Sequence, residues 1–284
     1  MAAVSTKKTK TLKGIFFYIG ILLILVISLF PFFIMLMTAL KSSQEAISRN
    51  PTFFPKEWTI QHFVDIFNPS IFPYLTYLEN SFVVALTASI ISVVIAIFGA
   101  YALSRLDFKG RLQINASFYT VYMFSGILLV VPLFKIISGL GLYDTKTSLI
   151  IVMIVQTLPT AILMLISFFE TIPKDLEEAA KIDGLNRIKI IFYIIIPLSL
   201  SGIISVFVYC FMVAWNDFLF ASIFFSSDEN FTLPVGLNSL FSTPDYIWGR
   251  MMAASIVTAL PVVIMYAISE SLIKGNVTSG GVKE

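Results

Sequence analysis

Six stretches of this chain stay apolar for about the 20 residues that carry a helix across a bilayer core roughly 30 Å thick. They run approximately Ile15–Leu40, Ser81–Leu103, Ala116–Ile137, Ser148–Phe169, Pro197–Phe225 and Met251–Ile273, and segments of this length predict an all-α membrane protein of about six transmembrane helices. Hydrophobic residues fill 57% of the 284 positions and charged residues only 13%, about half the charged share of an average soluble domain. Lipid rather than water is the solvent such a surface suits. The expected organisation is a tail over 1–14, one transmembrane domain over 15–273 and a second tail over 274–284.

Lysines before the first stretch imitate a signal peptide. The apolar run from Ile15 to Met37 is too long for one, however, and no A-x-A site follows it, so it reads as an uncleaved span. Pro31, Pro132, Pro159 and Pro261 fall inside predicted spans. Bundled membrane helices tolerate proline because neighbours re-satisfy the freed carbonyls, so these positions read as kinks or as hinges.

The net charge is only +2, which argues against nucleic acid, but the distribution is informative. Lys7, Lys8, Lys10, Lys13, Arg105, Lys109, Arg111, Lys174, Lys181, Arg187, Lys189, Lys274 and Lys283 fall on one side of the spans; Lys41, Arg49, Lys56, Lys146 and Arg250 fall on the other. Lys135, near a helix end, is expected to snorkel. By the positive-inside rule both termini are cytoplasmic. Cys210 is the lone cysteine and His62 the lone histidine, which excludes a disulfide framework, a multi-cysteine zinc site and HExxH chemistry, and no metal site is expected. Cys210 reads as inert packing and His62 as a solvated loop residue.

Three connections face outward. In the first, about Lys41 to Asn80, Pro51 and Pro55 are followed by Ile60, Phe63, Val64 and Phe67 at helical spacing, which predicts a short amphipathic helix along the interface. The second, around Gly139 to Thr147, reads as a short turn. The third, about Ser226 to Arg250, is rich in Asp, Asn, Ser, Thr and Pro and reads as an irregular exposed loop. Asn216 and Asp217 lie in the fifth span and, with Gln156 in the fourth, are candidate polar residues of a pathway. An intramembrane carboxylate costs roughly 2.5–3.5 kcal/mol on insertion scales, and Trp215 beside it is an interface-type residue, so placement at a boundary or cavity competes with ligation of a solute. Gln156 in the fourth span either faces a pathway or bonds a neighbouring helix.

The inward connection 170–196 is the odd one. Pro173-Lys-Asp-Leu-Glu-Glu-Ala-Ala-Lys-Ile-Asp183 holds good helix formers, a proline suited to the first turn and early acids, and Gly184 follows where a helix-terminating glycine belongs. A basic stretch, Asn186 to Lys189, then feeds an isoleucine-rich run to Pro197. The small Ala179 and Ala180 permit close approach of a partner, and Glu177 and Glu178 offer acceptors to an Arg or Lys across an interface. A surface helix that merely anchors the loop is the alternative.

Glu178-Ala179-Ala180, three residues, Gly184, nine residues, Ile194, one residue and Ile196-Pro197 resembles the EAA motif of ABC importer permeases, with Ile196 where the pattern has leucine. The Ala100-Tyr-Ala-Leu-Ser-Arg105 segment with Phe108-Lys-Gly-Arg111, Pro132 with Leu140-Gly-Leu142 and Thr145, Trp215-Asn-Asp-Phe218, and Thr232-Leu-Pro-Val-Gly236 are similar to the carbohydrate, maltose-type branch and its shorter, MalG-like subunit.

The resemblance implies a type I ABC importer permease fold with a cytoplasmic coupling helix, in a bacterial inner membrane. It implies as partners a second, MalF-like permease, two copies of an ABC ATPase, an extracytoplasmic solute-binding protein and a sugar or oligosaccharide substrate. No G-x-x-x-x-G-K-[ST] loop occurs here; ATP and Mg would belong to the ATPase, and the subunit itself would be non-catalytic. Glu178, Ala179, Ala180, Asp183 and Gly184 would dock the ATPase. Thr232, Leu233, Pro234, Val235, Gly236 and Asn238 would meet the binding protein, unless that loop is passive. A permease for an amino acid, phosphate or polyamine shares the EAA element and is the alternative. An intramembrane enzyme lacks a nucleophile and base here, and a secondary transporter would show internal repeats and more intramembrane charge.

Overall fold

The computed structural model describes residues 3–48, 50, 52–123, 126–240 and 247–279; Arg49, Pro51 and Lys283 of the charge and proline patterns lie outside them, as does part of the third outward connection, 241–246. The described chain is nearly all helical. In order, the helices are α1 (Ala3–Ala39), α2 (Ser43–Ala46), α3 (Gln61–Ile66), α4 (Tyr74–Arg105), α5 (Arg111–Met123), α6 (Gly126–Gly139), α7 (Lys146–Glu170), α8 (Lys174–Ile182), α9 (Arg187–Ile190), α10 (Ile196–Leu198), α11 (Leu200–Trp215), α12 (Leu219–Phe224), α13 (Leu233–Ser239) and α14 (Trp248–Ser279), with a π-helical turn Ile191–Ile195 between α9 and α10. Helices α1, α4, α7 and α14 are each long and apolar enough to cross a membrane.

The remaining two spans are not the single helices their hydropathy predicts. The third expected span is divided between α5 and α6, whose axes differ by 102°. The fifth expected span begins only at Leu200, after an 83° bend, and its helix ends at Trp215; α12 is a separate piece. Counting each bent pair as one span gives six. Hydropathy registers how apolar a segment is and not its direction, so a bend inside an apolar run leaves no trace in it. The second span starts at Tyr74, earlier than expected, because Tyr74 and Tyr77 are buried and extend the helix at its N-terminal end.

The chain divides into two compact units, 1–73 with 240–257 and 74–239 with 258–284. In the larger unit, α4, α7 and α11 pack around one core. One face of α4 presents Ala85, Ala88, Ser89, Ser92, Ala96 and Ala100, all buried, and small residues at this spacing let membrane helices approach closely where no hydrophobic effect drives them together. Opposite lie Ala161, Leu165 and Phe169 of α7 and Val206 and Cys210 of α11, so Cys210 packs as expected. A polar tie crosses the seam, the Ser92 and Thr157 hydroxyls lying 2.8 Å apart.

In the smaller unit, Glu45 accepts from the Thr52 hydroxyl at 2.6 Å and the Lys56 amide at 3.0 Å, and the Lys41 ammonium donates to the Thr52 carbonyl. Ile60, Val64 and Phe67 lie exposed along α3, the apolar face expected of an interfacial helix. His62, expected in solvent, is instead buried at 3% exposure: a ring nitrogen lies 3.0 Å from the Lys41 carbonyl, and any side chain at Gly249 would collide with the ring. Burial lowers its pKa below the ordinary value, partly offset by the Lys41 carbonyl and Asp65 and reinforced by Arg250. Arg250 and Asp65 themselves form an ion pair at 3.3 Å. The unfolded chain therefore binds a proton more readily than the folded one, and stability is lost as pH falls from about 6.5 towards the depressed value. We expect proteolysis of segment 41–73 in detergent to be faster at about pH 5.5 than at about pH 7.5, and His62→Gln to remove most of that difference.

Candidate functional site

The inward connection folds as a short capped helix followed by a hooked entry into α11. Pro173 is the N-cap of α8, with Asp175 and Glu177 in the first turn where the helix dipole favours acids. At the other end Gly184 adopts φ +84°, the Gly184 amide donates to the Lys181 carbonyl and the Leu185 amide to the Ala180 carbonyl, each at 3.0 Å. This is a Schellman cap, which requires a left-handed residue and hence glycine. Asn186 then caps α9, its side chain accepting from the Lys189 amide at 2.9 Å. Chain continuity through the π-turn and Pro197 carries the path into α11.

The two adjacent glutamates have opposite fates. Glu177 is buried at 4% exposure, where its carboxylate pairs with the Arg105 guanidinium at 2.8 Å and accepts from the Tyr101 hydroxyl at 3.1 Å. The expectation that Glu177 offers an acceptor to a partner is corrected: its acceptor capacity is spent inside the chain. Ala180, three residues on and on the same face, is also buried. Glu178, Ala179, Asp183 and Gly184 are exposed, together with Leu176 and with Ile182 at 87% exposure. The helix thus has a pinned inner side and a free outer side with an acid, a small residue and projecting apolar groups.

Arg105 does more than neutralise Glu177. A second guanidinium nitrogen donates to the carbonyls of Phe169 at 2.5 Å and Ile172 at 2.7 Å, adding a side-chain donor at the end of α7, where the Phe169 carbonyl also accepts from the Ile172 amide at 3.0 Å. Arg111 does the same for α4, donating to the carbonyls of Leu103 at 2.6 Å and Ser104 at 3.3 Å, while pairing with Asp107 at 3.0 Å. Both arginines belong to the connection motif read above, yet their capping roles and their link to α8 were invisible in it. Arg105 thus fastens the neighbouring ends of α4, α7 and α8 to one another, and Arg111 closes the end of α4. A cleft lined by Tyr101, Arg105, Asp107, Glu177, Lys181 and Arg187 opens beside this staple.

The third connection expected to face outward is not the irregular exposed loop expected. Within its described part Thr232, Leu233, Val235 and Gly236 are buried, Pro234 is half-buried, and α13 begins at Leu233. The Leu233 amide donates to the Ser81 hydroxyl at 2.7 Å, Asn80 donates to the carbonyls of Glu229 and Phe231, and a Cβ at Gly236 would lie 2.2 Å from the Tyr77 ring. Alternating apolar residues in Thr232–Gly236 signal this packing in retrospect. Of the residues expected to meet a partner, Asn238 alone is exposed. Asp144, in the second outward turn, accepts from the amides of Ser226 and Ser227, the Ser227 hydroxyl and the Asn230 amide, tying that turn to the third connection. Desolvation works to raise its pKa, but these hydrogen bonds prevail and hold it well below the usual carboxylate range.

Asn216 and Asp217 occupy the break between α11 and α12. Asp217 is half-buried and accepts from the Phe220 and Ala221 amides at 3.5 and 2.9 Å, and exposed Asn216 donates to the Met212 carbonyl at 2.8 Å. Both serve the helix ends on either side. Gln156 is half-buried on α7 and lines a small cavity with Thr160 and Tyr209. The structure therefore does not bring Gln156 and Asp217 into one cluster.

Comparison with known proteins places this geometry. Residues 92–275 match the family model described as binding-protein-dependent transport system inner membrane component. The chain is 69% identical to the inner membrane ABC transporter permease protein YcjP of Escherichia coli K12 over 96% of this chain and 98% of the relative. It is 35% identical to the trehalose/maltose transport system permease protein MalG of Thermococcus litoralis over 97% and 99% of the two chains. Among solved structures it resembles a bacterial ABC transporter involved in import of the acidic polysaccharide alginate, with a TM-score of 0.78 at 20% identity, covering 93% of this chain and 97% of that one.

Proposed function

This chain belongs to the family of binding-protein-dependent transport system inner membrane components, and we propose that it is the MalG-like permease subunit of an ATP-driven importer for a sugar or oligosaccharide. It is a multi-pass membrane protein, and transport components of this kind work with a solute-binding protein and a second permease. In our reading that permease is MalF-like, two copies of an ABC ATPase bind ATP and Mg beneath the pair, and both termini lie in the cytoplasm with the lysine-rich tails. The trehalose/maltose relative supports a sugar over an amino acid, phosphate or polyamine.

The observation that carries the reading is the two-sided α8. Its free side, Glu178, Ala179, Ile182 and Asp183, is suited to a socket in the ATPase, with Gly184 turning the chain away behind it. Its other side is bound to α4 and α7 through Glu177 and Arg105. Closure of the ATPase dimer would displace α8, and because packed helices shift between discrete arrangements rather than flexing continuously, the pull reaches the spans as a change between inward- and outward-facing states. At the outer end Asn238 remains our choice for contact with the binding protein; Thr232, Leu233, Val235 and Gly236 would act by holding α13 in place.

Glu178→Lys tests the docking side without touching the buried pair. A charge-assisted hydrogen bond contributes about 1.5–3 kcal/mol, so losing it and adding a like charge should reduce copurification of the ATPase and cut uptake by about tenfold or more. Membrane levels should stay normal, since Glu178 is exposed. Wild-type copurification and uptake in this variant would remove the docking assignment.

A further inference from the structure

We infer that the cavity lined by Gln156, Thr160 and Tyr209 is a subsite for a hydroxyl-rich solute on the translocation pathway, an inference that rests on the sugar reading above.

The cavity, of about 140 Å³, lies among Val121, Leu129, Val155, Gln156, Pro159, Thr160 and Tyr209, room for about four waters. Three features give it unspent hydrogen-bonding capacity. The Gln156 amide nitrogen is buried and has no hydrogen-bond partner among the described residues. Pro159 has no N–H to offer the Val155 carbonyl one turn earlier, so that acceptor loses its usual helix donor. Thr160 and Tyr209 each add a hydroxyl. Thr157 shows the contrast: on the adjoining face its hydroxyl meets Ser92 and donates to the Met153 carbonyl at 2.8 Å, fully used inside the bundle.

Gly126 shapes the site. A Cβ there would lie 2.8 Å from the Gln156 amide nitrogen and 3.2 Å from its oxygen, so the start of α6 lies directly against this amide and any side chain at position 126 would displace it. A polar recess facing hydrocarbon would leave its donors and acceptors unmet, which membrane proteins avoid unless the recess meets water or another polar surface. Sugar hydroxyls, each both donor and acceptor, match a mixed set of amide, carbonyl and hydroxyl groups better than an ion or an apolar solute does.

The test uses the whole complex, with partner permease, ATPase and binding protein, in proteoliposomes, and trehalose and maltose as probes. In a Cys210→Ser background, Thr160→Cys should react with a charged, water-soluble methanethiosulfonate, and turnover with the transported sugar should slow that reaction. Gln156→Leu should reduce uptake by about tenfold, the loss expected for an unpaired polar contact, with Gln156→Asn recovering part of it and subunit copurification retained in both. Reaction unaffected by sugar, with normal uptake by Gln156→Leu, overturns the subsite. No reaction at Thr160→Cys in a complex that transports also overturns it and makes the recess a seam with the partner permease. A wild-type complex that carries neither disaccharide, although Thr160→Cys reacts, counts against the sugar reading and with it the solute class named here.

Discussion

Arg105→Ala should destabilise the inner end of the larger unit by about 3–5 kcal/mol, the usual consequence of removing one partner of a buried ion pair. The Arg105 and Glu177 side chains are only 4% and 5% exposed, so the abandoned carboxylate is left largely desolvated and without its counter-charge. Three acceptors lose a donor at once: Glu177 is left with the Tyr101 hydroxyl, the Phe169 carbonyl with the Ile172 amide, and the Ile172 carbonyl loses the guanidinium. The expected result is a lower temperature of aggregation in detergent and an uptake rate below a tenth of wild type. The reason is specific enough to separate variants. Exchanging the two charges, Arg105→Glu with Glu177→Arg, should not rescue, because a carboxylate at 105 cannot donate to the end of α7. Arg105→Lys should rescue in part, keeping the charge but not the fork of donors. Tyr101→Phe, which removes one hydrogen bond of the network at 3.1 Å, should cost only about 1 kcal/mol. Full rescue by the exchange would mean that the charge pair alone matters and that capping of α7 does not.

What the sequence made legible follows what each signal measures. Long apolar runs report burial in lipid, and they located the apolar parts of α1, α4, α7 and α14 to within about two turns. They could not report the 102° and 83° bends, since hydropathy registers how apolar a segment is and not the direction of its axis. The Gly184 cap was readable because a left-handed φ leaves few residue choices, and the full Schellman geometry is present. The fate of the two glutamates was half readable. Glu177 and Ala180 share a helix face, so only one of Glu177 and Glu178 could point outward, but which one depends on Arg105, distant in the chain and brought near only by the packing of α4 on α7. His62 failed for a related reason: its burial is created by Gly249 and the Lys41 carbonyl, remote in sequence. The third outward connection was misjudged because its polar composition masked Leu233 and Val235, which bury α13.

Gly202→Val should give the second large effect, and it probes transmission rather than docking. Gly202 sits in the first turn of α11, just beyond the bend at Ser199. A Cβ there would lie 2.5 Å from the Phe168 ring of α7, at its root rather than at a flexible tip. Valine must therefore push α11 away from α7 or force Phe168 off its rotamer, and overpacking of this kind costs about 1–3 kcal/mol. None of the exposed α8 residues changes, so the ATPase should still copurify. What changes is the seat on which α11 receives displacement from α8 through the π-turn. We expect ATP hydrolysis in the assembled complex to persist while uptake falls by about tenfold, an uncoupling that Glu178→Lys, which releases the ATPase, should not produce. Replacing Phe168 by alanine in the same chain makes room for the new methyl groups, so Gly202→Val with Phe168→Ala should recover part of the uptake. If the double variant is no better than Gly202→Val alone, the α7–α11 contact is not the route by which α8 acts on the fifth span.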